Sequence, residues 1–119
     1  MVKKVHEHAE QTALVTRCRT EKILIFSIPN GFYVSNKAEL YAQLGKLKQE
    51  GLLSGAPDLI VVLPNKILFI EMKIEGGKLS QAQIDIHNQL NELGFNVAVF
   101  YNAKSAWQYI EEQRKQNYG

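Results

Sequence analysis

The sequence predicts an α/β fold, a mixed sheet flanked by helices in the order helix, strand, helix, strand, strand, helix, strand, helix. Three observations carry this reading. Asp58 to Leu63 and Ile67 to Lys73 are apolar runs joined by only Pro64, Asn65 and Lys66. So short a connection makes them an antiparallel hairpin. Neither run alternates apolar with polar residues: Leu59, Val61 and Leu63 take one face, Ile60 and Val62 the other. Such strands are expected in a sheet covered on both sides. A helical pattern then separates the second run from Asn96 to Tyr101, the arrangement of a crossover unit.

The remaining elements follow from local pattern. From Val5 to Cys18, Ala9, Ala13, Leu14 and Cys18 recur at helical spacing. Ile23 to Ile28 reads as a strand, stopped by Pro29, Asn30 and Gly31. Asn36 caps the next helix and Glu39 completes a capping box; Leu40, Leu44 and Leu47 form its buried stripe, and Gly51 ends it. After the hairpin, Gly76 and Gly77 break the pattern and Ser80 opens a helix to Leu93. Its expected inner stripe is Ala82, Ile86, Leu90 and Leu93. Ala103 to Lys115 forms the last helix, with Ala106, Trp107 and Ile110 facing inward.

Composition narrows the function classes. At 119 residues, 45% hydrophobic and 22% charged, the chain is expected to form one domain over residues 1–119 with one core. Its 14 basic and 12 acidic side chains leave a net charge of +2, which permits nucleic-acid binding without arguing for it. No apolar run approaches the roughly 18 to 20 residues a bilayer requires, so no membrane association is expected. His6, His8 and the acids around them leave no apolar signal segment, and the lone Cys18 can form no intrachain disulfide. A reduced, cytoplasmic setting is the expectation.

The hairpin carries three charges in apolar surroundings: Asp58 at the mouth of one strand, Glu71 and Lys73 near the end of the other. Residues two apart on a strand share a face, so Glu71 and Lys73 point the same way. Opposite residues of an antiparallel pair also share a face. Asp58 joins the two whether it lies opposite Glu71 (indices summing to 129) or opposite Lys73 (summing to 131), and the sequence does not choose between them. Two converging carboxylates repel unless protonated, paired or bridged by a cation. Oxygen donors without a thiol suit Mg²⁺ or Mn²⁺, and such an ion promotes phosphodiester hydrolysis. The plainer alternative is a Glu–Lys ion pair that closes a strand.

Other residues extend the constellation. Glu7, Glu10 and Gln11 share a side of the first helix, either as a solvated face or as a source of one further carboxylate, with Glu10 placed ahead of Glu7. Ser80 and Gln83 have capping-box spacing, and the same helix start can present Gln83 to a phosphate. Lys46, Lys48, Lys66, Lys78 and Lys104 are candidate phosphate contacts. His6 and His8 lack the spacing of a zinc helix, and His87, beside the Ile86 stripe, reads as an exposed or partly packed side chain. Asn30 reads first as part of a turn and second as a DNA contact. Trp107 and Tyr109 are more simply core or interface than base-stacking residues.

Taken together, Glu7 to Gln11, Ile28 to Gly31, Lys48 to Gly51, Gly55-Ala56-Pro57-Asp58, Glu71-Met72-Lys73 and Leu79-Ser80-Gln81-Ala82-Gln83 resemble the VRR-NUC family of the PD-(D/E)xK nuclease superfamily. The resemblance implies a restriction-endonuclease-like fold and a Mg²⁺- or Mn²⁺-dependent DNA endonuclease. It implies metal binding by Asp58, Glu71, Glu10 and the Met72 backbone carbonyl, Lys73 as the catalytic lysine, and Gln83 near the site. The family's stand-alone members, from phages and bacteria, resemble Holliday-junction resolvases and act as homodimers. Branched DNA and a second copy of the chain are therefore the expected partners, in a bacterial cell or phage-infected host. Flap, end or duplex cleavage, or a non-catalytic DNA-binding or assembly module, are the alternatives.

Overall fold

The computed structural model describes residues 2–29 and 36–116, with side chains of the first helix described from residue 6 onward. The elements are α1 (Val2–Thr20), β1 (Leu24–Ser27), α2 (Lys37–Gln49), β2 (Leu59–Leu63), β3 (Lys66–Met72), α3 (Gln81–Glu92), β4 (Val97–Phe100) and α4 (Ala103–Gln116). This is the order the sequence predicts. The sheet runs β1-β2-β3-β4, antiparallel between the first three strands and parallel between β3 and β4. The hairpin turns at Pro64 and Asn65, and Asn65 supplies the positive φ of 58° that so tight a reversal needs. α3 makes the crossover between the parallel strands, because a two-residue turn cannot join strands running the same way.

The core lies on one face of this sheet. Ile25, Leu59, Val61, Leu63, Leu68, Ile70 and Met72 pack there against Leu14 and Cys18 of α1 and Ala106, Trp107 and Ile110 of α4. Burial of each large aliphatic side chain contributes roughly 1.5–3 kcal/mol, so this face dominates the stability of the fold. Arg17 and Arg114 lie over the Trp107 ring at 4.7 and 5.7 Å, closing the outer edge of the core with cation–π contacts. Cys18 is fully buried, and burial pushes its thiol up to about 11, which leaves it an inert packing group.

The opposite face departs from expectation. Leu24, Phe26, Ile60, Val62, Ile67 and Phe69 share it by register, yet Leu24, Phe26 and Ile67 are 60%, 43% and 48% exposed. Among the described residues α3 packs against β4, and its His87 reaches Glu71 of β3. α2 does not supply the missing cover. Asn36 caps it as predicted, accepting a 2.8 Å hydrogen bond from the Glu39 N–H, but Leu40, Leu44 and Leu47 are only half-buried and no residue of the helix is fully buried. Apolar spacing predicts the stripe correctly; what the stripe faces is a tertiary matter that spacing does not contain. α3 differs similarly. Leu93 of its predicted inner stripe is exposed, and its one fully buried residue is His87.

Candidate functional site

The site is built at the end of β3 that lies beside the first residue before β2. The β2–β3 register pairs Leu59 with Ile70, a sum of 129, so one step further Asp58 stands opposite Glu71. Of the two registers open to the sequence, the structure takes this one. Asp58 is tied in from both sides. Its Oδ2 accepts a 2.8 Å hydrogen bond from the Met72 N–H, and its backbone carbonyl accepts one of 2.9 Å from the N–H of Ile28, the residue that follows β1. Lys73 follows as the first residue beyond β3. Its N–H donates to the Phe100 carbonyl at 2.9 Å, which carries the ladder with β4 one residue further and keeps Lys73 on the Glu71 face.

Loop geometry explains how Asp58 comes to that position. Gly55 has φ +89°, and a Cβ placed on it would lie 2.3 Å from the Ala82 carbonyl oxygen and 2.8 Å from the Gln83 nitrogen. Only glycine lets the backbone rest directly on the first turn of α3 in this way. Ala56 and Pro57 are buried behind it and lead straight into Asp58.

Glu71 is the electrostatic centre of the site. It is 1% exposed, and its carboxyl is pushed up to about 9. Burial is the first cause; a hydrogen bond to Asp58 and the charge of Asp58 follow, the Lys73 ammonium opposes them, and the Glu7 charge adds a smaller upward push. His87, 7% exposed, places its Nε2 3.3 Å from Glu71 Oε1. Burial lowers the His87 pKa, against the Asp58 charge, so the imidazole is held toward its neutral form.

The other sequence candidates divide between this centre and the scaffold. Glu10 accepts a 2.8 Å hydrogen bond from the Ala103 N–H, capping the start of α4, while Asn102 caps the Ser105 N–H at 2.8 Å. It also lines a cleft of about 430 Å³ with His6, Lys73, Glu75 and Tyr101. Glu7 is the helix carboxylate whose charge is felt at Glu71. Gln83 forms the predicted capping box: its Oε1 accepts from the Ser80 N–H at 2.8 Å and its N–H donates to Ser80 Oγ at 3.2 Å. It lines a second cleft, of about 340 Å³, with Asp58, Lys48 and Ser80. Lys66 lies at the far end of β3, held by Gln113 and Gln116, and is removed from the site. Lys46, Lys78 and Lys104 are exposed, as is His8. Asn30 lies outside the described residues.

His87 is the residue that sequence reasoning passed over. The signal was present: it stands four residues after Gln83, one helical turn along the same side of α3.

Among the described residues no three His, Cys, Asp or Glu side chains gather into a ready metal cluster. The donor set that is present is two opposed carboxylates, Asp58 and Glu71. Met72 directs its N–H at Asp58, and because a strand residue sends N–H and C=O to the same edge, its carbonyl faces that side too. One or two carboxylates with a carbonyl, completed by water and substrate phosphate, is the environment Mg²⁺ takes in phosphoryl chemistry, so these residues fit a hard divalent cation. Among the described residues no helix is long and apolar enough to cross a membrane.

No curated protein matches the chain, and no solved structure does. The model of the VRR-NUC domain family matches residues 6–104, a span that takes in Glu7, Glu10, Asp58, Glu71, Lys73 and Gln83. With a family model covering most of its length and an α/β fold consistent with a PD-(D/E)xK-like arrangement, the chain belongs to the VRR-NUC family, and that membership supports a nuclease-type function.

Proposed function

We propose that the protein is a Mg²⁺- or Mn²⁺-dependent endonuclease that hydrolyses DNA phosphodiesters, with branched DNA such as four-way junctions as substrate. The observation that carries the reading is the convergence of Asp58, Glu71 and Lys73 on one face at one end of the β2–β3 hairpin. A cation held by the Asp58 and Glu71 carboxylates and the Met72 carbonyl would polarise a phosphoryl oxygen and acidify a bound water. Asp58, anchored by its hydrogen bond from the Met72 N–H, keeps its carboxylate at the strand mouth without paying for reorientation during the reaction. Lys73 orients the attacking water or offsets the charge that builds on the phosphate as the P–O bond to the leaving deoxyribose oxygen breaks. Gln83, whose Oε1 is used in the capping box, retains its amide N–H₂ to donate to a phosphate in the adjoining cleft. Glu10 acts through the start of α4, and Glu7 tunes Glu71 by its charge.

The open apolar sheet face supports assembly as a homodimer, and two sites related by a two-fold axis match the symmetry of a four-way junction. The test is a cleavage panel with added Mn²⁺ comparing junction, flap, linear duplex and single strand. The reading expects symmetric nicks in the junction. Preference for flaps or ends would replace the substrate class and keep the chemistry. No hydrolysis of any structure would leave a DNA-binding or assembly module.

A further inference from the structure

We propose that His87 is a positioning residue for the cation site, its Nε2–H donating to Glu71 Oε1 and fixing the direction of that carboxylate. The proposal rests on the reading of Asp58 and Glu71 as cation ligands and deepens it by tying α3 to the site. A buried glutamate at a strand end has several rotamers, and only those turned toward Asp58 allow the two carboxylates to share an ion. The 3.3 Å approach of His87 engages Glu71 Oε1, and a hydrogen bond with Asp58 ties the same carboxyl group to the facing strand. Ligating carboxylates are generally held by such outer partners, whose loss weakens metal binding about 10–100-fold.

The imidazole itself has little freedom to move. α3 is locked at its start by the Ser80–Gln83 capping box and by the contact of Gly55 with Ala82 and Gln83, and His87 lies one turn further along. A residue that merely filled space here would be served as well by leucine. With a cation bound, the ligating Glu71 carboxylate is deprotonated and can only accept, so the Nε2 that stands 3.3 Å from its Oε1 must carry a proton to hydrogen-bond it.

Mn²⁺ titrated by calorimetry into the full chain, with Asp58→Asn, His87→Leu and His87→Gln variants, tests the assignment. Asp58→Asn is expected to remove the binding heat. His87→Leu is expected to weaken Mn²⁺ about tenfold or more, and His87→Gln, which restores an N–H donor, to recover most of that loss. A His87→Leu protein that binds Mn²⁺ like the wild type while Asp58→Asn does not would overturn the role of His87 and leave the cation site standing. Unchanged binding by Asp58→Asn would remove the site and the proposal together. Should the leucine variant fail to fold, nitrogen NMR of the wild-type imidazole with Mg²⁺ decides: a proton on Nε2 supports the assignment, and a bare Nε2 overturns it.

Discussion

Lys73 shares a face with Glu71 and lowers its pKa, whereas the backbone N–H of Lys73 carries the β3–β4 ladder. Replacing the side chain alone should separate chemistry from folding. Lys73→Ala is expected to cut junction cleavage by at least about 100-fold, with the melting temperature and junction binding close to wild type. Undiminished cleavage would remove the lysine from the mechanism. Glu71 gives a second prediction at this scale. Its folded pKa, about 9, lies above its ordinary value of 4.5, so the stability it contributes is full below about pH 4.5 and is lost as pH rises toward 9. In chelator, Glu71→Gln should therefore be the more heat-stable protein, by a margin that widens between pH 5 and 9. Melting curves across that range check it, and a margin independent of pH would contradict it. The residue types at positions 58, 71 and 73 were legible in the sequence because alternation along a strand needs no tertiary knowledge. The division of labour between Glu7 and Glu10 was not. Both lie on one side of α1, and only the placement of α4 makes Glu10 the acceptor for the Ala103 N–H.

At the scale of elements, turn and cap chemistry located the strands and helices well. Asn36, Gly51, Ser80 and the Pro64-Asn65 turn act through neighbouring backbone, so their signals are local. Register was half legible: a face could be assigned, but the choice between sums of 129 and 131 depended on turn geometry. His87 shows the opposite limit. A histidine beside an apolar stripe looks solvent-facing until a buried carboxylate is placed opposite it. The loop before β2 yields the prediction at this scale. Gly55→Ala would force a Cβ onto the Ala82 carbonyl at a positive φ, and nothing there is a flexible side-chain end that can swing away. It is expected to cost about 1–3 kcal/mol in urea denaturation and to depress cleavage, because Asp58 and the start of α3 shift together. A stable, fully active Gly55→Ala protein would show that this contact does not position the site.

The whole molecule is elongated, 52 × 33 × 27 Å, with a Cα radius of gyration of 15.3 Å against the roughly 13.5 Å expected for a compact chain of this length. The sequence showed strands apolar on both faces and hence a doubly covered sheet, but hydropathy reports the need for cover without saying whether the same chain provides it. Here one face is closed by α1 and α4, and the other stays open over Leu24, Phe26 and Ile67. Phe26→Glu is expected to shift sedimentation of the proposed dimer to the monomer while leaving the α1–α4 side of the core intact; unaltered sedimentation would move the interface elsewhere. With a net charge of +2, the proposed DNA affinity would come from local lysines such as Lys48, so junction binding is expected to fall steeply between about 50 and about 500 mM salt in a fluorescence titration.

In the proposed site the Asp58 and Glu71 carboxylates, with the Met72 carbonyl, hold one divalent cation beside Lys73. Anomalous scattering from a crystal of the protein grown with Mn²⁺ tests it most directly. A manganese peak is expected between those two carboxylates, on the Lys73 face of the hairpin. A well-ordered site without such a peak, with the carboxylates still bonded to each other or turned apart, would contradict it.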